Sequence, residues 1–273
     1  MPQVLSDYQL DFLRRANSIA YVQRRGLRTF RWTYRQVGML ALSFSRQLHL
    51  LNIEKGDRVL LCAHNSAEWV AAFFGCLHRG AIMVPLDVQS DPAFIRRIQD
   101  QTQAKVAFLD AETSSRLQLN LPVVLLDHDP NASNGDPDPY KPQDSGNGGA
   151  LSEDDVVEIV FTSGTSSAPK GVQITNRNLL SNLIPLEREI KRYLKWEPLV
   201  HPIRFLNLLP LSHIFGQFMG VLVPQLLAGE VFFQETLNAS QIISTVKRER
   251  ISVIVCVPRL LEIMRERIEA EYD

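Results

Sequence analysis

Residues 161–171 read FTSGTSSAPKG, in which five hydroxyl side chains, Thr162, Ser163, Thr165, Ser166 and Ser167, gather around Gly164. An apolar strand at residues 156–161 leads into this run. Pro169 then fixes the backbone just before Lys170, and Gly171 starts the next strand. Hydroxyls, free backbone N–H groups and one lysine all donate to anionic oxygens, so the segment can wrap a polyphosphate. Lys170 would supply a point charge to the phosphate that leaves. A Walker A loop is excluded, because that loop needs glycine before its lysine and Ser or Thr after it, where Pro169 and Gly171 stand. A polar βα or hairpin turn is the competing reading, since Ser/Thr-rich turns are common.

His213 follows Pro210-Leu-Ser and opens an apolar helix expected over residues 213–227. An imidazole there can orient a carboxylate or gate a pocket; a helix cap or a satisfied core residue is the plainer role. No Asp or Glu occurs between Asn207 and Gly229, and the helix offers Ile214, Phe215, Phe218, Met219 and Leu222. Gly216 and Gly220 lie one turn apart. Their spacing either leaves room for an apolar tail along one face or permits close helix packing. His64 calls for less, because Asn65 and Ser66 beside it suffice as turn and cap.

The elements that position these residues alternate between strand and helix. Thr33 and Ser66 cap helices ending near Leu51 and Arg79, and Gly80 closes the second. A first helix is expected at residues 6–16, with two short strands at 20–23 and 29–32. Apolar strands are expected at 58–63, 81–86, 106–109 and 123–126, then at 205–209, 231–233 and 253–257. Further helices cover 92–103, 176–193 (with Pro185 inside), 240–250 and the stretch from Pro258. Apolar strands between amphipathic helices make this an α/β chain, with parallel or mixed sheets flanked by helices on both faces. Residues 1–127 form a first βα region and 151–273 a second. Between them, 128–150 hold four prolines and four glycines and read as a surface loop.

Composition narrows the function classes. The 273 residues carry 29 basic and 30 acidic side chains, a formal net charge of −1, which argues against a dedicated nucleic-acid binder. With 45% hydrophobic residues, the whole chain is not intrinsically disordered. Cys62, Cys76 and Cys256 lie far apart without a CxxC or a Cys/His cluster, so reduced thiols in a cytoplasmic protein are expected rather than structural zinc. The N-terminus lacks an apolar signal core, and residues 214–227, broken by Gln217, Pro224 and Gln225, fall short of a membrane span. Peripheral membrane contact and oligomeric state stay open.

With these residues in hand, TSGTSSAPKG resembles the phosphate loop of the adenylate-forming superfamily, whose pattern runs roughly TSGTTGxPKG. Two further segments agree in order. Residues 61–87, with Asn65-Ser-Ala-Glu68 and Gly80-Ala-Ile-Met-Val-Pro-Leu86, resemble its upstream element, and Pro210-Leu-Ser-His-Ile-Phe-Gly216 resembles its PLxHxxG element. The resemblance implies the N-terminal part of the adenylate-forming synthetase fold. It also implies ATP-dependent activation of a carboxylic acid to an acyl-adenylate, then a thioester with coenzyme A. In that scheme Thr162, Ser163, Gly164, Thr165, Ser166, Ser167, Lys170 and Gly171 hold ATP, and Thr162 approaches Mg²⁺. Lys170 and His213 act in catalysis, and His213, Phe215, Gly216 and Gly220 face the acid. Relatives that activate amino acids hold the ammonium with a carboxylate near here, so the acid-free helix favours a fatty acid.

Two departures qualify the resemblance. Ser167 stands where the family has a second loop glycine, and serine reaches positive φ less readily. The family's downstream Thr-Glu and Thr-Gly-Asp segments and its C-terminal lysine domain do not occur within these residues. The chain alone is therefore expected to be inactive, and a non-catalytic nucleotide- or acyl-binding fragment, or transfer to a carrier-protein thiol, are the alternatives. Limited proteolysis should cut first within residues 128–150, and mass spectrometry of the first fragments checks this; earlier cleavage in a flanking helix would count against the loop reading.

Overall fold

Mostly apolar strands, with more polar or exposed ones such as Arg28–Thr33 and Lys170–Thr175 at the sheet edges, form two sheets with helices packed against them. The computed structural model describes residues 4–9, 12, 15–26, 28–130, 151–162, 169–193, 202–234 and 237–272. The first sheet contains β1 (Ile19–Arg25), β2 (Arg28–Thr33), β9 (Arg204–Asn207), β10 (Glu230–Phe233) and β11 (Val253–Val255), in the order β11-β9-β10-β1-β2. The second contains β3 (Arg58–Cys62), β4 (Ile82–Leu86), β5 (Val106–Leu109), β6 (Val123–Leu125), β7 (Val156–Thr162) and β8 (Lys170–Thr175), in the order β6-β5-β3-β4-β7-β8. Pairing is parallel except for one antiparallel hairpin in each sheet, β1–β2 and β7–β8. Both sheets are thus mixed, as the α/β expectation allowed.

The sheets do not follow the two stretches of sequence on either side of residues 128–150. β1 and β2 leave the first stretch and join β10 through the register Tyr21↔Val231 and Gln23↔Phe233. β7 and β8 make the opposite exchange, joining β4 where Met83 faces Glu158. Loop residues from 131 onward lie outside the described residues.

Helix α1 (Tyr34–Leu50) begins with the capping box of Thr33 and Gln36, and α2 (Ala67–Arg79) begins at Ser66, whose side chain accepts from the Trp69 N–H. Gly80 ends α2 at φ 70°, a conformation that favours glycine. The two helices pack closely because Gly75 has no side chain: a Cβ there would lie 3.0 Å from the Ala41 carbonyl oxygen and from Phe44 Cβ. Fully buried Phe44, Trp69, Phe73, Phe74 and Phe108 form the centre of the core around them. The remaining helices are α3 (Pro92–Thr102), α4 (Ala111–Arg116), α5 (Asn176–Tyr193), α7 (Ala239–Glu249) and α8 (Pro258–Tyr272). Between α5 and α7, Ile214–Gln217, a π-helical turn at Phe218–Leu222 and Val223–Leu226 run on as one helix, α6. At the N-terminus, where a helix is expected over 6–16, the described residues show a 3₁₀ turn at Leu5–Gln9 and helical backbone at Phe12, with residues 10, 11, 13 and 14 outside the described set.

The turn between β3 and α2, with the first residues of α2, makes directed polar contacts across to the first sheet. The Asn65 side-chain amide donates to the Leu209 carbonyl at 2.7 Å and its oxygen accepts from the Leu211 N–H at 2.9 Å. Three residues on, fully buried Glu68 accepts from Arg25 at 2.8 Å and from Gln23 at 3.1 Å, both on β1. Gln23 in turn accepts from the Ala67 N–H at 2.9 Å. Removing one partner of a buried ion pair leaves the other charge uncompensated. Arg25→Ala should therefore cost about 2 kcal/mol, below the cost of breaking a fully buried pair because the arginine is one-third exposed and Gln23 still serves Glu68. Urea unfolding of the two chains measures it, and a loss under a few tenths of a kcal/mol would show that the pair does not hold the seam.

Candidate functional site

Hydrogen-bonded pairing of β7 with β8 sets Thr162 opposite Lys170, Phe161 opposite Gly171 and Val160 opposite Val172. The hydroxyl-rich segment is therefore the connection of an antiparallel hairpin, not a βα turn. A Cβ on Gly171 would sit 2.9 Å from both Ile159 Cγ2 and Phe161 Cζ, so any side chain there would have to displace those neighbours. Pro169 is buried and Lys170 exposed, so the proline anchors the strand end while the lysine faces solvent at the mouth of the hairpin. The candidate phosphate-loop residues Ser163, Gly164, Thr165, Ser166 and Ser167 lie outside the described residues, and of Thr162 the structure describes the backbone position at the end of β7.

His213 occupies the N-cap of α6 with extended backbone (φ −111°, ψ 139°). Its side chain makes no capping bond to the helix and is exposed. Its backbone N–H donates to Pro210 at 3.2 Å, and its carbonyl accepts from Gln217 at 3.1 Å. Phe215, one residue into the helix, is 63% exposed, whereas Phe218 and Met219 are partly buried and Leu222 is buried. Phe218, Met219 and Leu222 lie within the π-helical turn; such turns recur at functional sites.

The two glycines of this helix meet neighbouring chain. A Cβ on Gly216 would lie 2.0 Å from the Pro210 carbonyl oxygen, and one on Gly220 would lie 2.3 Å from Asn207 Nδ2. The open room that their spacing suggested is thus filled by the turn after β9, and close packing is the use the structure makes of both.

On another side of α6, Gln217 reaches β7. Its Nε2 donates to Glu158 Oε1 at 2.5 Å, with the glutamine 2% exposed and the glutamate fully buried. Among the described residues, Glu158 Oε2 has no hydrogen-bond partner. Burial pushes the Glu158 carboxyl up to about 8, and the bond from Gln217 offsets part of that rise.

Parallel strands of both sheets end around a cleft of about 420 Å³, lined among others by His64, Asp87, Asp110, Ser212 and Gln234. Ligands of open α/β sheets commonly sit at such carboxyl ends. His64, expected only to serve a turn, lies with Nδ1 2.8 Å from Asp110 Oδ2. Burial alone would raise the Asp110 carboxyl, but hydrogen bonds from His64 and Thr113 outweigh it and hold the group well below the usual range. Lys170, His213 and Phe215 do not line this cleft. Among the described residues, no three or more His, Cys, Asp or Glu side chains gather to hold a metal, and no helix is long and apolar enough to cross a membrane.

Comparison with known proteins assigns the class. The AMP-binding enzyme family matches residues 12–273, and the chain belongs to that family. It is 27% identical over 236 residues to a 4-coumarate–CoA ligase-like protein of Oryza sativa subsp. japonica, covering 78% of this chain and 39% of the relative. It is 29% identical over 247 residues to the crotonobetaine/carnitine–CoA ligase of Salmonella paratyphi A, covering 82% of this chain and 45% of that protein. The fold matches the crystal structure of a fatty acyl-adenylate ligase from L. pneumophila in complex with acyl adenylate and pyrophosphate. That match has a TM-score of 0.73 at 20% identity, over 93% of this chain and 44% of the other. The chain thus spans less than half the length of these relatives and corresponds to their N-terminal portion.

Glu158 gives the site a pH signature. Its folded pKa lies above its ordinary value of 4.5, so its contribution to stability is fully present below pH 4.5 and is lost as pH rises towards about 8. Glu158→Gln cannot titrate. Chemical unfolding across that window should show wild-type stability falling more steeply with pH than that of the variant; parallel profiles would mean that Glu158 is already ionised in the folded chain.

Proposed function

We propose that this chain supplies the phosphate-holding and acid-facing part of an enzyme that activates a carboxylic acid with ATP and passes the acyl group to a thiol. The observation that carries the reading is the hairpin that sets Lys170 opposite Thr162, at the mouth of a hydroxyl-rich connection, in a chain of the AMP-binding family. A lysine and several hydroxyls fit a polyphosphate better than a metal cluster or an apolar ligand.

In this reading Thr162, Ser163, Gly164, Thr165, Ser166, Ser167 and Gly171 would cradle the β- and γ-phosphates of ATP, and the Thr162 hydroxyl would be the side chain nearest a Mg²⁺ that neutralises phosphate charge. Lys170 stabilises charge on the departing pyrophosphate as the substrate carboxylate attacks the α-phosphorus. His213, projecting from the start of α6, orients that carboxylate. Phe215, with Gly216 and Gly220 letting the helix approach the turn after β9, forms the acid-facing surface. With no Asp or Glu between Asn207 and Gly229 to balance a substrate ammonium, an apolar acid such as a fatty acid is favoured. Coenzyme A is the proposed acceptor, a carrier-protein thiol the alternative, and the cytoplasm the proposed location.

Lys170→Ala is the direct test. The side chain is exposed, so the substitution should leave the unfolding transition in place while weakening Mg-ATP and pyrophosphate binding by about tenfold or more, the scale of one charge-assisted contact. Calorimetric titration reads both ligands. Equal affinities in the two chains would remove the phosphate-loop assignment.

A further inference from the structure

We propose that Glu158 and Gln217 are a positioning pair coupling strand β7, and the phosphate loop it feeds, to helix α6 with His213 and Phe215. This rests on the reading of that loop and that helix given above.

Both side chains are almost wholly buried, and the 2.5 Å bond between them joins the middle of β7 to the first turn of α6. At the strand end, Glu158 stands four residues before Thr162, about 13 Å along an extended chain. At the helix end, Gln217 lies one turn from His213, whose carbonyl accepts the Gln217 backbone N–H. Under this proposal a displacement of β7 on filling the loop would act on α6 through this bond, which joins the two elements directly.

As a stabiliser the pair is poor. Glu158 Oε2 is buried without a partner among the described residues, and an unpaired buried oxygen costs free energy that an apolar pair of similar size would not. What a single directed bond in an apolar seam supplies is register. Apolar contacts slide, whereas a hydrogen bond weakens steeply once its geometry is lost. Among the described residues Glu158 is also the one acid inside the apolar run of β7.

The test uses the whole chain and inorganic pyrophosphate with Mg²⁺ as the probe, with NMR signals of the His213 ring and the Met219 methyl as reporters. In the wild type, saturation with pyrophosphate should shift both signals. Glu158→Gln, which keeps an acceptor for Gln217, should preserve the shifts. The double variant Glu158→Leu/Gln217→Leu should fold and bind pyrophosphate within about threefold of wild type, while its shifts shrink about fivefold or more. Undiminished shifts in the double variant overturn the proposal, as does a wild type that binds pyrophosphate without moving either signal. A wild type that binds no pyrophosphate overturns the loop assignment and the coupling with it, a result distinct from binding without a shift.

Discussion

Among the described residues the two sheets exchange no strand-to-strand hydrogen bonds, so their relative placement depends on side chains, among them those of the β3–α2 turn. Asn65 satisfies both a carbonyl and an N–H of the turn after β9, and Glu68 takes up two donors from β1. Each is a directed contact, where an apolar interface alone would permit sliding. The turn after β9 carries Pro210 and leads into His213, so the same contacts that join the sheets also set where α6 begins. The candidate site inherits its geometry from this seam.

Local features were legible from residue order because their causes are local. Thr33 and Ser66 announce α1 and α2 through the side-chain oxygens that cap them, and Gly80 ends α2 because it takes the left-handed conformation. The strand expected at 106–109 appears as Val106–Leu109, a four-residue run buried throughout. The start of the N-terminal region was legible in part: the apolar spacing of residues 6–16 suits a helix and Phe12 is helical, but the segment opens with the tighter 3₁₀ form at Leu5–Gln9.

What residue order did not reveal depends on contacts distant along the chain. Nothing near β1 indicates that its partner is β10, because strand pairing is decided by packing across the whole sheet. The spacing of Gly216 and Gly220 has two meanings, room or closeness, and the distinction lies with Asn207 and Pro210. Asp110 gives no local sign of its bond to His64, which lies 46 residues earlier. Glu158 did leave a mark, as a lone acid within VVEIVFT, since a charge in a doubly covered strand must be neutral or paired. That its partner would be Gln217 could not be read from the pattern.

The closure of the first sheet also has a consequence in time. β1 and β2 can form their hairpin soon after synthesis, but β1 pairs on its other edge with β10, roughly 200 residues later. At ordinary translation rates that edge waits about 10–40 s on the ribosome, exposing Tyr21 and Val22 before Val231 and Phe232 emerge. An open apolar edge invites pairing with other chains. The arginines at Arg24, Arg25, Arg28 and Arg31 place positive charge along this hairpin throughout the interval, a kinetic safeguard supplied in part by side chains that Glu68 and Glu249 take up in the finished fold.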